Sequence, residues 1–156
     1  MKNLSLRLLT VGILALISAA ACKKSKDGDS GGLSATINGS SYQGSQVTGI
    51  YQQGYITIGG VQFQGGDSLF LSLDIPDTAH VNNPIDLYSG GITYIKWKTK
   101  NTYEYDFNGS HGSTTLTSWD KANKKIAGNF KGVIYSVTNS NDSIVVANGQ
   151  FNTTYK

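Results

Sequence analysis

The chain is poor in the residues from which most active sites are built. Its 156 residues include one cysteine, two histidines, two prolines and one methionine. A single cysteine has no internal partner, so no disulfide staples the fold. His80 and His111 stand in loop-like stretches rich in Gly, Asn, Ser and Thr, and they offer no spaced set of metal ligands. H-E-x-x-H, C-x-x-C and P-loop patterns are absent, as is the G-x-S-x-G of a serine nucleophile. DGDSGG (27–32) has the flavour of a calcium loop but lacks the glutamate at EF-hand spacing. No acid/base constellation assembles from these residues. The chain therefore reads as non-catalytic, with no cofactor and no metal site.

Charge of one sign is also missing from the body of the sequence. The formal net charge is +3, but Lys2 and Arg7 lie in the first seven residues, and Lys23, Lys24 and Lys26 outweigh Asp27 and Asp29 in the next polar stretch. Residues 33–156 hold eight lysines and eight acidic residues. A nucleic-acid reading would want a basic domain, so nucleic acid is not an expected partner.

What the N-terminus does contain is an export signal. MKNLSLRLLTVGILALISAAAC has a positive start, then a 14-residue, mostly apolar run over 8–21 that ends in small residues. A membrane-spanning helix needs about 20 apolar residues, and this run is shorter. Cys22 follows directly. The arrangement resembles a bacterial lipoprotein signal, which implies removal of residues 1–21 and lipidation of Cys22. One acyl chain anchors only marginally, at ~0.8 kcal/mol per buried methylene, whereas the three chains of this class hold permanently. Residues 23–32, KKSKDGDSGG, contain no apolar side chain and read with Cys22 as a flexible tether. Ten such residues span roughly 17 Å on average. The expected location is the cell envelope of a Gram-negative bacterium, on the outer membrane, with the membrane as a partner through Cys22.

Residues 33–156 suit one domain. Short alternating runs recur every ten to fifteen residues between Gly-, Asn- and Ser-rich stretches, the pattern of an all-β protein. The expected fold is an antiparallel β-sandwich or flattened barrel of about eight to ten strands. LSATING (33–39) reads as a strand burying Leu33, Ala35 and Ile37, with Asn38-Gly39 as its turn. SLFLSLDI (68–75) alternates with Leu69, Leu71, Leu73 and Ile75 inward. In YITIGGVQF (55–63) the apolar phase changes from Ile56 and Ile58 to Val61 and Phe63. A similar change separates Ile126, Gly128 and Phe130 from Val133, Tyr135 and Val137. One-residue slips of this kind predict bulges or sharp bends at Gly59-Gly60 and near Gly132. Asn148-Gly149, in SIVVANGQF (143–151), reads as a bulge, because too little chain follows for a long hairpin partner.

Three patches carry a further resemblance: SATINGSSY near the start, LTSWDKANKKIAGNF, and the finish VVANGQF. They resemble a family of small bacterial envelope lipoproteins classed as a domain of unknown function, with an A-x-I-N-G strand, a D-x-x-N-K-x-I-x-G-x-F hairpin and an N-G-x-F end. The resemblance implies a β fold in an envelope lipoprotein and supplies no activity. Within the hairpin, Asp120 and Asn123 suit a turn, and Gly128 leaves room for Trp119 or another ring to cross the strand. The triplets Asp67-Ser68-Leu69, Asp77-Thr78-Ala79 and Asp142-Ser143-Ile144 resemble an O-glycosylation sequon of one Gram-negative phylum. So short a motif is weak, and the plainer reading, turns leading into strands, is preferred.

IKWKTKNTYEYDF (95–107) is the most chemical-looking stretch. Ile95, Trp97, Tyr103, Tyr105 and Phe107 occupy odd positions, and Lys96, Lys98, Glu104 and Asp106 even ones. Folding about Asn101 would pair Trp97 with Tyr105, Lys98 with Glu104, Lys96 with Asp106 and Ile95 with Phe107, so that every pair is apolar or opposite in charge. The aromatic face is then expected to be core, in which case Trp97→Ala would cost roughly 3–5 kcal/mol. The competing assignment is a ligand platform of Trp97, Tyr103 and Tyr105. Two functions follow. One is a non-catalytic envelope lipoprotein that binds a ligand or partner, such as a glycan, through exposed tyrosines and loops. The alternative is a lipocalin-like barrel carrying a small apolar ligand in a cavity lined by Trp97, Tyr105, Phe63 and Phe130.

Overall fold

The computed structural model describes residues 31–104 and 109–156. The signal sequence, Cys22, most of the tether, and Tyr105, Asp106 and Phe107 lie outside the described residues. Eleven strands follow in order: β1 (Gly32–Ile37), β2 (Ser40–Gln43), β3 (Thr48–Gln52), β4 (Tyr55–Gln64), β5 (Asp67–Pro76), β6 (Pro84–Asp86), β7 (Ile92–Lys96), β8 (Asn101–Glu104), β9 (His111–Asp120), β10 (Lys125–Ser136) and β11 (Ser143–Thr154). The fold is all-β, as expected. Nine strands form one continuous path, β2-β1-β11-β10-β8-β7-β5-β4-β3, while β9 pairs with β10 and β6 with β9. The paired ladders are antiparallel, and the sheet curls into a half-barrel.

The curl follows from alternation. Leu33, Ala35 and Ile37 of β1, Ile56 and Ile58 of β4, and Leu71, Leu73 and Ile75 of β5 are all buried in one core with Ile92, Leu116, Ile126, Ile134, Ile144 and Val146. Each strand contributes one face, and only a curled sheet lets all these faces meet. Asn38 and Gly39 both have positive φ, the conformation of a tight hairpin turn between β1 and β2.

Between β2 and β3 the chain keeps its direction but changes partner, leaving β1 and joining β4. This brings the two edges of the sheet together. Ser45 donates its backbone N–H to the Val61 carbonyl, 2.8 Å away. At one end β3 meets the last residues of the chain through a parallel bridge, Gly49 with Tyr155. At the other end β2 and β4 are not laddered and the seam stays open.

The bulge at Asn148-Gly149 is present. Pairing shifts between Phe130–Gly149 and Gly132–Val146, and likewise against β1 between Ser34 and Thr36. The extra residue lies in β11, with Asn148 at φ 51. The expected irregularity near Gly132 is this same shift seen from the partner strand. β10 itself alternates without interruption, with Phe130, Gly132, Ile134 and Ser136 buried in turn.

The expected bulge at Gly59-Gly60 is not there. β4 pairs with β5 in unbroken register from Tyr55–Pro76 to Gln64–Asp67. The change of phase has another cause. Val61 and Phe63 are outward-facing apolar residues, and Phe63 is 67% exposed. The two glycines serve close approach instead: a methyl on Gly59 would lie 3.1 Å from the Phe70 ring, and one on Gly60 would lie 3.2 Å from Leu33 Cδ2. Gly128 makes room for a ring as expected, and the ring is that of Phe151.

The hairpin in 95–107 also differs from expectation. Its register is Tyr94–Tyr103, Ile95–Thr102 and Lys96–Asn101, so the turn comprises residues 97–100. Trp97 is therefore in the turn and 52% exposed rather than in the core. Lys98 is likewise in the turn, and Glu104 pairs with Tyr135 of β10. Lys100 closes the turn at φ 56, with its N–H on the Trp97 carbonyl. Two remote bonds fix the position: Trp97 N–H donates to the Ser68 carbonyl at 3.0 Å, and Lys98 N–H to Asp67 Oδ1 at 2.8 Å. A four-residue turn reverses parity, so the buried residues are even on β7 (Ile92, Tyr94) and odd on β8 (Tyr103).

Candidate functional site

Where the seam stays open, the inward phase of several strands changes character. On β4 the inward sequence is Ile56, Ile58, Gly60, Gln62, Gln64. On β5, read toward the same end, it is Ile75, Leu73, Leu71, Leu69, Asp67. On β7 it is Ile92, Tyr94, Lys96. Each strand begins in the aliphatic core and ends in a polar side chain pointing into the mouth of the half-barrel.

The mouth is a cleft of about 330 Å³ lined by the outer residues of these strands, Gln62, Gln64, Asp67, Leu69, Tyr94 and Lys96, together with Tyr42 and the tip of the β1–β2 hairpin, including Asn38 and Ser41. Its floor is aromatic. Tyr42 and Tyr94 meet edge-on with centroids 6.5 Å apart, and Tyr94 and Tyr103 lie 6.3 Å apart at 39°. Its rim is polar. Gln62 Oε1 accepts the Gln43 N–H at 3.2 Å, which leaves its amide N–H groups to donate. Asp67 Oδ1 already accepts from Ser68 and Lys98. The Lys96 ammonium stands 5.9 Å from the centre of the Tyr103 ring.

The tyrosine hydroxyls are held in their neutral form. Burial raises the Tyr42 pKa, and its hydroxyl donates to the Gly60 carbonyl at 2.5 Å. Burial likewise raises the pKa of Tyr94, with the nearby Asp67 carboxylate adding to it. For Tyr103 the causes are burial and its hydrogen bond to Asp142 at 2.9 Å. Such phenols donate and accept hydrogen bonds; they do not supply a nucleophile at neutral pH.

The three residues of the platform assignment are not brought together. Trp97 lies on the exposed turn, Tyr103 is buried beneath the cleft, and Tyr105 lies outside the described residues. The lining expected for an internal cavity does not assemble either. Phe63 and Trp97 are exposed, whereas Phe130 is buried against Phe151, with centroids 6.4 Å apart. No motif in the sequence marks Gln62 or Gln64, and Asp67 and Lys96 read there as part of a sequon-like triplet and of a cross-strand charge pair, not as the lining of a cleft. The signal that marks them is the polar end of an otherwise aliphatic inward phase, and reading Val61 and Phe63 as inward hid it.

Among the described residues, no group of three or more His, Cys, Asp or Glu could hold a metal ion. Among them, too, no helix is long and apolar enough to cross a membrane. No protein-family model, curated protein or solved structure matches the chain.

Proposed function

We propose that this chain is a non-catalytic, lipid-anchored protein of the bacterial cell envelope that binds a hydroxyl-rich ligand, a glycan segment, in the mouth of its half-barrel. The observation that carries the reading is the polar end of the inward phase. Gln62, Gln64, Asp67 and Lys96 present donors and acceptors above a floor of tyrosine rings. A pyranose ring has an apolar C–H face and an equator of hydroxyls, and it matches a surface of that construction. The anchor reading rests on Cys22 following a short apolar run, with no second cysteine to pair with it.

The alternative, a carrier of a small apolar ligand, finds less support. The interior is occupied by Ile58, Leu71, Leu73, Ile92, Ile134 and their neighbours, and the cleft that remains has a polar rim.

Binding of the mature protein to an array of bacterial envelope glycans tests the reading. Gln64→Ala combined with Lys96→Ala should weaken binding about tenfold or more, since each lost hydrogen bond is worth about 0.5–1.5 kcal/mol. The melting midpoint should not change. Absence of any glycan ligand, together with stabilisation by a small apolar compound, would favour the carrier instead. For the anchor, Cys22→Ser should release the protein from the membrane fraction.

A further inference from the structure

The half-barrel has two unlike ends, and the chain before residue 31 joins the one opposite the mouth. β1 begins at Gly32, paired with Asn152, and runs to Ile37 and Asn38, which line the cleft. β4 likewise starts at the closed end with Tyr55 and reaches the mouth at Gln64. Ten strand residues cover about 30 Å. Only ten residues separate Cys22 from Leu33, and a flexible chain of that length has an average reach of roughly 17 Å. A lipid on Cys22 would therefore hold the closed end nearer the bilayer than the mouth.

The closed end has the chemistry of a bilayer interface. Tyr51 is 48% and Tyr55 43% exposed there. Trp119 donates its indole N–H to the Tyr155 hydroxyl at 3.0 Å. The Lys121 ammonium stands 4.2 Å from the centre of the Trp119 ring. Lys124 accepts the Tyr155 N–H on its carbonyl, and the Lys156 carbonyl accepts that of Tyr51, so both residues belong to this end, as does Lys125, which opposes Thr154. Four of the eight lysines of residues 33–156 gather here, against three of the seven acidic residues among those described, Asp74, Asp77 and Asp120. All three carboxylates are engaged, Asp74 with Thr57 Oγ1 at 2.6 Å, Asp77 with the Tyr51 hydroxyl at 2.8 Å and Asp120 with Asn123 at 2.6 and 3.0 Å. The side chains of the closed end thus carry an excess of lysines over carboxylates. Amphipathic Tyr and Trp rings ringed by lysines suit the headgroup region of an anionic membrane.

From this we infer that the closed end is a docking surface for anionic phospholipid headgroups, which sets the half-barrel upright on the anchoring membrane with its mouth turned outward. The inference rests on the lipid anchor at Cys22 proposed above.

The two tryptophans report the two ends, Trp119 the closed end and Trp97 the lip of the mouth. The full lipidated protein would be reconstituted into vesicles of brominated phospholipid, once with Trp97→Phe and once with Trp119→Phe. Trp119 fluorescence should be quenched at least twofold more than that of Trp97. The difference should be larger with phosphatidylglycerol than with phosphatidylcholine. Joint Lys121→Gln, Lys124→Gln and Lys156→Gln substitution should bring it down to the phosphatidylcholine level. Equal quenching of the two tryptophans, insensitivity to lipid charge, or no effect of the lysine substitutions would overturn the docking surface while leaving the anchor standing. Membrane retention of Cys22→Ser would remove the anchor, and this inference with it.

Discussion

The hydroxyl of Tyr42 donates to the carbonyl of Gly60, 2.5 Å away, and so ties β2 to β4 across the one seam the sheet does not ladder. The bond sits directly below the cleft, and Gly60 lets Leu33 and Gly44 close in beside it. Tyr42→Phe keeps the ring and removes this bond across the seam, while Gly60 stays paired with Leu71 in the ladder. The expected loss of stability is about 0.5–1.5 kcal/mol, read from chemical denaturation. A variant as stable as the parent would show that water replaces the hydroxyl.

Trp97 is in a turn and half in solvent. Trp97→Ala should therefore change stability by less than about 1 kcal/mol, as substitutions away from the core do. A core assignment would require several times that. One thermal melt separates the two, and a large drop in midpoint would show that the ring is packed in solution.

Gly128 opposes Leu116 and Phe151 in the ladder. A methyl at this place would stand 2.6 Å from Phe151 Cζ and 2.5 Å from the Thr115 carbonyl oxygen. Since one of these is backbone, little can yield. Gly128→Ala should destabilise by about 1–3 kcal/mol or more through overpacking. A neutral result would mean that β9 shifts freely against β10.

Asp74 accepts a hydrogen bond from Thr57 Oγ1 at 2.6 Å. Burial raises the pKa of its carboxyl, and the Thr57 bond offsets this only in part. The folded protein thus keeps this proton at pH values where the unfolded chain has lost it. Stability must then fall as pH rises from the ordinary carboxylate range through the raised folded value. Asp74→Asn retains an acceptor for Thr57 and removes the titration. The variant should gain on the parent as pH rises from about 4 toward 7, a span that starts at the ordinary Asp value. Denaturation midpoints across that range provide the check, and parallel curves for the two proteins would refute the assignment.

Much of this architecture is legible in the amino-acid order. β1 and β5 alternate cleanly, and their inward residues are those expected. Asn38-Gly39 and Asn148-Gly149 mark a turn and a bulge because the backbone there needs positive φ, which Gly and Asn accept at little cost. The cleft was less visible. Its residues are common polar types spread over four strands, and no two of them form a motif.

Local alternation sufficed to specify strands, turn residues and an all-β class, since a period of two needs only neighbouring residues to be expressed. Which face of a strand turns inward is a different matter. Val61, Phe63 and Trp97 are apolar yet face solvent, while Gln62, Gln64 and Lys96 share the inward phase. Two bonds from residues about thirty positions away, the Ser68 carbonyl to Trp97 and the Asp67 carboxylate to Lys98, set the parity of the β7–β8 turn. Only the tertiary structure decided where the sheet closes and where it opens, because face and register depend on partners that are distant in the chain and adjacent only once it has folded.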